Sequence, residues 1–371
     1  MKVVNGIYTS ATIFTDKVED YAIAQIEFLC NQETFKDCCI RVMPDVHPGK
    51  VGTIGFTSTV GDKIMPDVVG IDIGCGITLA KLKQRKAEYQ RLDKIIREQI
   101  PCGSRNRKTP HHKAEEIDFS GLRCRKHVSA EKAMSGLGTL GGGNHFIELN
   151  QDGEGCLYVA IHSGSRSFGK AVTEYYLAAG QKALKEKEID VPYELTYLES
   201  ALMEDYVHDI RIVQEYARLN REIMLNELVK GMKWKVLELT DIPHNYLEAS
   251  VDGLMLRKGA ISAKKDEPVV IPINMKEGIL LGKGLGNPDW NVSAPHGAGR
   301  ILKREAVKEQ YTVSQFKQEM KGIYCSCISN DTLDEAPFAY RGLEDIREAV
   351  KETVDIQKVI TPVYNFKAGS R

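Results

Sequence analysis

The amino-acid sequence predicts an α+β fold, with mixed and antiparallel sheets flanked by helices. Segments with strand character alternate with helical segments in no regular order, so the strand–helix repeat of a parallel α/β fold is missing. Hydrophobic residues make up 42% of the chain and charged residues 27%, which is enough apolar material for a globular core. Because no internal repeat and no linker rich in Pro, Gly or Ser interrupts the sequence, we expect residues 1–371 to form a single domain.

Strands are expected to dominate the first part of the chain. Residues 39–60 contain β-rich runs separated by Pro and Gly, and residues 66–82 predict a buried strand, a Gly-rich turn and a second strand. The apolar pattern of residues 85–99 predicts an amphipathic helix. Two more strands are expected within residues 138–150 and 156–164, the first of them after a run of glycines.

The second part of the chain is expected to begin with two helices and to return to strands. Residues 169–187 look helical, and residues 195–235 have apolar residues at helical spacing and no proline. Strands are then expected at residues 254–262 and 268–275, a helix near 342–358 and a last strand at 360–366.

The composition limits the class and the location of the protein. The 50 basic and 51 acidic residues nearly balance, so the overall charge does not indicate nucleic-acid binding, although a local basic patch is compatible with it. No apolar run approaches the roughly 20 residues of a membrane span, and the N-terminus lacks the apolar core of a signal peptide. We therefore expect a cytoplasmic monomer without a membrane partner. Most of the nine cysteines would then be small buried hydrophobic residues, and a minority ligands or nucleophiles.

Residues 103–127, GSRNRKTPHHKAEEIDFSGLRCRKH, form the most basic segment of the chain. The same composition fits a solvated, mobile loop and a loop that contacts phosphates. The two interpretations are compatible, because flexible basic loops often bind phosphate.

Several residues are candidate metal ligands. Asp72 and Cys75 lie in the turn GIDIGCG, His145 follows a glycine run, and His162 ends an apolar strand. A mixture of carboxylate, thiolate and imidazole suits one or two transition-metal ions, and a thiolate can bridge two of them. Each histidine taken alone also fits a hydrogen-bonded core residue.

Two further histidines stand in unusual contexts: His244 follows a proline in DIPHNYLE, and His296 lies between a proline and a Gly-Ala-Gly run in the stretch NVSAPHGAGR. This stretch fits either a surface turn or a place where a bulky anionic group comes close to the imidazole. The runs GTLGGGNH and GKGLGNPDW also leave a phosphate contact or a tight turn open, since neither matches the dinucleotide or the P-loop pattern.

Long motifs resemble one known family. In order along the chain, they are MPDVHPGKVGTIGF, VVGIDIGCG, GGGNHFIEL, AIHSGSRSFG, HNYLE, RKGAI, PHGAGR, DEAPFAYRGLEDIREAV and ITPVYNFKAG. Together they resemble the RtcB family of GTP-dependent RNA ligases, over nearly the whole chain. The resemblance implies the fold of that family.

The resemblance also implies a metal site. Asp72 and Cys75 match the family's metal-binding Asp and Cys, and the cysteine bridges two Mn²⁺ ions. His145 matches the histidine that binds the first ion. His162 and His244 match the two histidines that bind the second ion. The implied cofactors are therefore two Mn²⁺ ions.

The nucleotide site is implied in the same way. His296 matches the nucleophile that becomes covalently guanylylated by GTP, and Gly297, Ala298 and Gly299 would leave room for a phosphate beside it. Asn144 and Phe146 flank a metal-binding histidine, and Glu148 matches the residue that reads the guanine edge. Further nucleotide contacts are implied for Tyr340 and Lys367. Where the family often has a serine-bearing segment, residues 274–287 read NMKEGILLGKGLGN, so the resemblance implies no guanosine contact there.

Two arginines and a histidine are ambiguous at this point. Arg300 and Arg166 fit either a phosphate contact or a structural ion pair. His47 fits either the wall of an RNA-end site, together with Asp45, or a satisfied turn histidine.

The activity implied by the resemblance is the joining of an RNA 3′-phosphate or 2′,3′-cyclic phosphate end to a 5′-hydroxyl end, as in RNA repair or tRNA splicing. Its partners would be RNA and GTP, and the need for an activating protein is open. The alternatives are a metal-dependent cyclic phosphodiesterase and an RNA-end-binding protein that does not ligate. The presence of both the metal ligands and His296 favours the ligase.

Overall fold

The computed structural model describes residues 1–251 and 253–368. The strands of this described part are β1 (Lys2–Asn5), β2 (Ser10–Ile13), β3 (Ile40–Pro48), β4 (Thr53–Val60), β5 (Lys63–Ile64), β6 (Gly76–Leu82), β7 (Phe146–Gln151), β8 (Leu157–Ser163), β9 (Leu198–Glu199), β10 (Val236–Pro243), β11 (Asn245–Ser250), β12 (Gly253–Lys258), β13 (Ala260–Ser262), β14 (Pro268–Asn274), β15 (Gly278–Gly284), β16 (Ser293–Pro295), β17 (Tyr324–Cys325) and β18 (Val354–Lys367). The α-helices are α1 (Asp20–Cys30), α2 (Pro66–Val69), α3 (Tyr89–Gln99), α4 (Ala130–Gly136), α5 (Arg166–Glu186), α6 (Ser200–Met232), α7 (Arg304–Gln310), α8 (Val313–Glu319) and α9 (Leu343–Ala349).

These strands form two large sheets and two short ribbons. The first sheet has the order β1-β2-β3-β4-β12-β11. Strands β2 and β3 pair in parallel, and every other pair of neighbouring strands in this sheet is antiparallel. The second sheet has the order β10-β6-β8-β7-β18-β15-β14, with β17 added in parallel to β18. The ribbons are β13-β16 and β5-β9. The mixed and antiparallel sheets with flanking helices confirm the predicted α+β class.

Helix α6 joins the cores of the two sheets. Its first half contributes Ile210 and Val213 to the core formed by the first sheet with α1 and α5. Its second half contributes Met224 and Leu228 to the core between the second sheet and α3. Buried residues recur on every turn from Tyr206 to Leu228, and the helix ends at Met232, before Lys233, which adopts a left-handed conformation.

Two of the predicted elements are wrong. The expected strand at the start of residues 66–82 is the short helix α2, which begins with Pro66 at its first position. A buried apolar run has the same pattern in a strand and in a helix, and Pro favours the start of a helix. The helix expected near residues 342–358 ends at Ala349, because Val354 already pairs with Gly284 in the second sheet.

The basic segment 103–127 is not a freely solvated loop. Its apolar side chains Phe119 and Leu122 are buried in the core beside α5 and α6. The carboxylate of Asp209 on α6 accepts hydrogen bonds from the backbone N–H groups of Arg123 and Cys124, at 2.8 and 3.0 Å. The segment therefore packs on α6, although most of its basic side chains face solvent.

Two further features concern the described residues. No helix in this part of the chain combines the length and the apolar character that a membrane crossing needs. All nine cysteines are free thiols, and five of them are buried.

Candidate active site

The predicted metal ligands lie at one end of four neighbouring strands. Cys75 directly precedes β6, and His145 directly precedes β7. His162 lies at the end of β8, where it pairs with Ile77 on one side and Phe146 on the other. His244 follows β10, whose last residue pairs with the first residue of β6. The antiparallel register therefore brings four segments that are distant in the sequence to the same end of these neighbouring strands.

The ligand atoms fall into two groups that share one thiol. The Cys75 Sγ lies 3.5 Å from His145 Nε2 and 3.3 Å from His162 Nε2. Asp72 Oδ2 lies 3.0 Å from His145 Nε2, and His244 Nε2 lies 3.3 Å from His162 Nε2. Within each group, Asp72–Cys75–His145 and Cys75–His162–His244, the ligand atoms lie within 4.8 Å of one another. Each of the two groups could hold a metal ion.

The imidazole hydrogen bonds fit a bound cation. His145 Nδ1 lies 2.8 Å from the Leu140 carbonyl, and His162 Nδ1 lies 3.0 Å from the Asn144 carbonyl. A carbonyl only accepts, so each Nδ1 donates to it, and Nε2 is the ring nitrogen that faces the cluster. This orientation makes Nε2 of both rings available as a metal-ligand atom.

Burial and charge shift the protonation of this cluster. Burial lowers the pKa values of His162 and His244 well below the usual range, which keeps both rings neutral. Burial also raises the pKa of the Cys75 thiol, and the charge of Asp72 adds to that effect. For Asp72, burial is outweighed by the hydrogen bond and charge of His145, which lower its pKa to about 2. The carboxylate and the neutral imidazoles are therefore ready to bind metal, and the thiol needs a cation to lose its proton.

Two buried polar residues of α6 hold the loops that carry the ligands. Arg221 donates to the carbonyls of Gly74 and Ser163, both at 2.8 Å, and forms an ion pair with Asp241 at 2.7 Å. Asn220 donates to the Gly164 carbonyl at 3.1 Å. These contacts fix the turns that follow Asp72 and His162. The side chains of Asn220 and Arg221 therefore attach the turns that carry the ligands to α6.

Gly164 makes room for the Asp72 carboxylate. A Cβ atom at position 164 would lie 2.2 Å from Asp72 Oδ1. The Ser165 backbone N–H donates to that oxygen at 3.0 Å. A side chain at position 164 would therefore displace the carboxylate from the cluster.

His296 lies beside this cluster and is held by a buried carboxylate. Its Nδ1 is 2.7 Å from Asp45 Oδ2, and its backbone N–H donates to the same oxygen at 3.2 Å. Asp45 on β3 is fully buried. The ring centroid of His296 lies 4.7 Å from that of His244. The carboxylate accepts a hydrogen bond from Nδ1–H, and in the tautomer that makes this bond the lone pair of the ring lies on Nε2.

A cavity extends from the cluster. It is lined by all of the predicted nucleotide-contact residues: Asn144, Phe146, Glu148, His296, Gly297, Ala298, Gly299, Tyr340 and Lys367. Two predicted metal ligands, His162 and His244, also line it, whereas Asp72, Cys75 and His145 lie behind them. His47 lines the cavity too, and its Nδ1 lies 2.9 Å from the Asp45 carbonyl. His47 is thus both a satisfied histidine and part of the wall.

One end of the cavity is built around charged and aromatic groups. Lys367 Nζ lies 5.5 Å from the centroid of the Phe146 ring and donates to Glu335 at 2.8 Å. The Tyr340 hydroxyl donates to the same carboxylate at 2.6 Å. Burial raises the pKa of Glu148 to about 7, against the hydrogen bonds and the positive charge that lower it. This end therefore offers aromatic surface, a cation and a buried carboxyl.

The residues after His296 serve the fold as well as the cavity. Gly299 has a φ of +74°, and a Cβ there would lie 2.4 Å from the Asp45 carbonyl oxygen. The side chain of Ala298 is buried in the core of the second sheet. Close packing of the backbone against β3 therefore requires a glycine at position 299, independently of any ligand.

Both ambiguous arginines make structural contacts. Arg300 donates to the Asp334 carbonyl at 2.6 Å and to the Tyr340 hydroxyl at 3.0 Å. Arg166 donates to the Gly103 carbonyl at 2.6 Å, which ties the start of α5 to the basic segment. These contacts favour the structural interpretation of both side chains.

Sequence reasoning missed part of the cavity wall. Glu335, Arg304 and Asn365 line it, as do residues 272–275 at the end of β14. Glu335 lies in the motif DEAPFAY from which only Tyr340 was selected. Residues 274–275 belong to the segment where no family contact was expected. Asn365 carries no local sequence signal, because only the pairing of β18 with β7 brings it next to Glu148.

Comparisons with known proteins identify the family of the chain. The family model described as "tRNA-splicing ligase RtcB" matches residues 30–127 and 112–368. The chain is 28% identical over 358 residues to the RNA-splicing ligase RtcB of Escherichia coli (strain K12), covering 85% of this chain and 87% of that protein. It is 29% identical over 418 residues to the tRNA-splicing ligase RtcB of Aeropyrum pernix, covering 86% of this chain and 85% of that protein. The chain belongs to the RtcB family.

Proposed function

We propose that this protein is an RNA ligase that uses GTP to join a 3′-phosphate or 2′,3′-cyclic phosphate end to a 5′-hydroxyl end. The names of its relatives, RNA-splicing and tRNA-splicing ligase, support ligation of RNA. The observation that carries the proposal is the His296–Asp45 pair beside the ligand cluster, at the wall of the cavity that the expected nucleotide-contact residues line.

Two Mn²⁺ ions are proposed at the cluster. Asp72, Cys75 and His145 would hold one, and Cys75, His162 and His244 the other. When bound, divalent cations neutralise phosphate charge and act as Lewis acids. Imidazole, carboxylate and thiolate together suit a first-row transition metal, and the resemblance to the family favours manganese.

His296 is the proposed nucleophile of the first step. Its Nε2 attacks the α-phosphorus of GTP, a nitrogen–phosphorus bond forms, and the bond to pyrophosphate breaks. Asp45 keeps the proton on Nδ1 and stabilises the positive charge that develops on the ring. The buried position of Asp45 strengthens this interaction, because little water screens it.

The remaining steps transfer the GMP group and then release it. An oxygen of the RNA 3′-phosphate attacks the phosphorus on His296, and the nitrogen–phosphorus bond breaks. The 5′-hydroxyl then attacks the RNA 3′-phosphorus, a phosphodiester forms, and GMP leaves. A cyclic end is opened to a 3′-phosphate by water before these steps.

The part of the cavity wall that contains Phe146 and Glu148 is the proposed guanosine site. Phe146 offers an aromatic surface, and Glu148 offers a carboxyl that can accept from the guanine edge. Lys367 and Tyr340 lie beside Glu335 on the same wall. Asn144 and residues 297–299 line the half of the cavity next to His296, where the phosphates would lie.

The test is an RNA-joining assay with purified protein, GTP and Mn²⁺. One RNA ends in a 3′-phosphate or a 2′,3′-cyclic phosphate, and the other begins with a 5′-hydroxyl. We expect a joined product with the wild type and none with His296→Ala. His127→Ala is the matched control, because His127 is exposed and stacks on Tyr175 outside the cavity.

The same assay distinguishes the alternatives. Opening of the cyclic phosphate without joining, equal in the wild type and in His296→Ala, would indicate a phosphodiesterase. Binding of the RNA ends with neither reaction would indicate an end-binding protein. Either result would contradict the ligase proposal.

A further inference from the structure

Cys325 and Cys327 form a close thiol pair outside the proposed reaction. Their sulfur atoms lie 3.3 Å apart, and the chain bends at Ser326 between them. Arg97 on α3 donates to the Ser326 hydroxyl at 2.8 Å, which holds that bend. A disulfide bond is about 2.05 Å long, so a small movement would join the two sulfurs.

The thiol pair contacts the proposed guanosine site through Lys367. The Lys367 backbone N–H donates to the Cys327 sulfur at 3.2 Å. The side chain of the same lysine donates to Glu335 and lies over Phe146. Lys367 therefore lines the nucleotide cavity, and on its other side it lines a surface cleft together with Cys327.

Cys327 has the surroundings of a reactive thiol. It is partly exposed at the cleft, where Arg97 and Arg105 also lie. The pKa of Cys327 is lowered by a hydrogen bond from the Cys325 thiol and by the N–H and charge of Lys367. In contrast, burial raises the pKa values of Cys30, Cys102 and Cys124.

We propose that Cys325 and Cys327 are a peroxide-sensitive pair that forms a reversible disulfide. The Cys327 thiolate attacks hydrogen peroxide, the O–O bond breaks, and sulfenic acid and hydroxide form. The Cys325 thiol then attacks this sulfur, and a disulfide forms with the release of water. The two sulfurs are oxidised and the peroxide is reduced. A disulfide between residues two apart closes a small ring, and strained, exposed disulfides are easily reduced again.

Oxidation changes the position of Lys367. A disulfide sulfur accepts a hydrogen bond less well than a thiolate, so the Lys367 N–H loses its partner and the end of β18 loosens. The effect on GTP rests on the proposed function: we expect roughly three- to tenfold weaker binding, the range for the loss of one hydrogen bond.

The experiment follows the thiols and the strand separately. The protein is treated with increasing hydrogen peroxide, alkylated, and digested with trypsin. The peptide 322–341 then contains Cys325 and Cys327 as its only cysteines, and the peptide 64–81 contains Cys75 as its only cysteine. We expect the disulfide in peptide 322–341 at peroxide doses that leave Cys75 free, and its reversal by dithiothreitol. Hydrogen exchange of the Lys367 amide should be faster in the oxidised protein.

The matched variant is Cys327→Ser, whose hydroxyl can still accept from the Lys367 N–H. It should bind GTP as the reduced wild type does and should not respond to peroxide at these doses. Oxidation of other cysteines before this pair would overturn the proposal. A disulfide that changes neither the Lys367 exchange nor GTP binding would overturn the coupling. Failure of the reduced protein to bind GTP would contradict the proposed function instead, and the exchange measurement would still decide the thiol proposal.

Discussion

At the scale of single residues, the two nitrogens of His296 have different roles because they have different neighbours. Asp45 accepts a hydrogen bond from Nδ1, which leaves Nε2 as the other ring nitrogen of a residue that lines the cavity. One buried carboxylate thus decides which nitrogen can act as a nucleophile. The motif HGAGR identified the histidine, whereas the partner Asp45 lies some 250 residues earlier and is brought close by the packing of β3.

Replacing Asp45 by Asn tests this role. The amide oxygen can still accept from Nδ1, but the negative charge is lost. We expect transfer of GMP to His296 to slow by about 100-fold, with little change in the KM for GTP, because the charge acts mainly in the transition state. Pre-steady-state labelling measures both quantities. The exposed Asp16→Asn is the control, and an Asp45→Asn rate within threefold of wild type would argue against this role.

Glu148 makes folding depend on pH. Its pKa is raised from 4.5 to about 7 in the folded protein, because burial penalises the charged form. The stabilising effect of the neutral form is complete below pH 4.5 and is lost as the pH rises through about 7. Glutamine does not titrate, so Glu148→Gln does not lose this stability. As the pH rises from 4.5 through about 7, the free energy of unfolding of the variant should increase relative to that of the wild type by on the order of 3 kcal/mol. Urea unfolding at several pH values, with the exposed Glu131→Gln as control, measures the shift. A pH-independent difference would show that Glu148 does not titrate in this range.

At the scale of secondary-structure elements, the site depends on strand register and on α6. The antiparallel pairing of β6, β7, β8 and β10 aligns the ends that carry the ligands. Arg221 then ties two of the ligand loops to the helix. The helix is therefore part of the site, although it contributes no ligand.

Arg221→Lys tests the contribution of α6. Lysine keeps the charge but cannot bond both carbonyls and Asp241 at once. We expect a loss of about 1–3 kcal/mol of stability and roughly 10- to 100-fold weaker Mn²⁺ binding. Arg218→Lys is the control, because Arg218 lies on the same helix in half-exposed ion pairs and should change stability by less than about 0.5 kcal/mol. Calorimetric titration with Mn²⁺ measures the affinity of each variant. An Mn²⁺ affinity of Arg221→Lys equal to that of the wild type would contradict the supporting role of Arg221.

Much of the fold could be predicted from periodicity, since the long helices and most strands have regular patterns. Helix α2 could not, because a short buried apolar run fits a strand equally well. The end of α9 could not either, because the pairing of Val354 with β15 overrides local preference. In the site, residues in compact motifs were found, whereas Arg304 and Asn365 enter the cavity only through tertiary packing.

At the scale of the whole molecule, the proposed metal ligands connect distant parts of the chain. Asp72, His145, His162 and His244 come from four segments, and Cys75 belongs to both ligand groups. A cation bound to each group would cross-link these segments in the folded state alone. Metal binding should therefore stabilise the fold as a whole.

Metal stoichiometry tests the shared thiol. The wild type should bind two Mn²⁺ ions, with a gain of about 2.7 kcal/mol in stability when free metal is at 100 times the Kd. His145→Ala should keep the group Cys75–His162–His244 and bind one ion, whereas Cys75→Ala should weaken both sites. Elemental analysis after dialysis, together with thermal unfolding with and without EDTA, measures these outcomes. Two tightly bound ions in Cys75→Ala would contradict a shared sulfur.

Labelling with GTP that carries a radioactive α-phosphate tests most directly whether His296 forms a covalent bond to GMP. The wild type, His296→Ala and the control His127→Ala are incubated with Mn²⁺, denatured and separated. We predict label on the wild type and the control that is stable to alkali and released by acid, as expected for a phosphorus–nitrogen bond, and no label on His296→Ala. Absence of label with every divalent metal, or equal label on His296→Ala, would contradict the account.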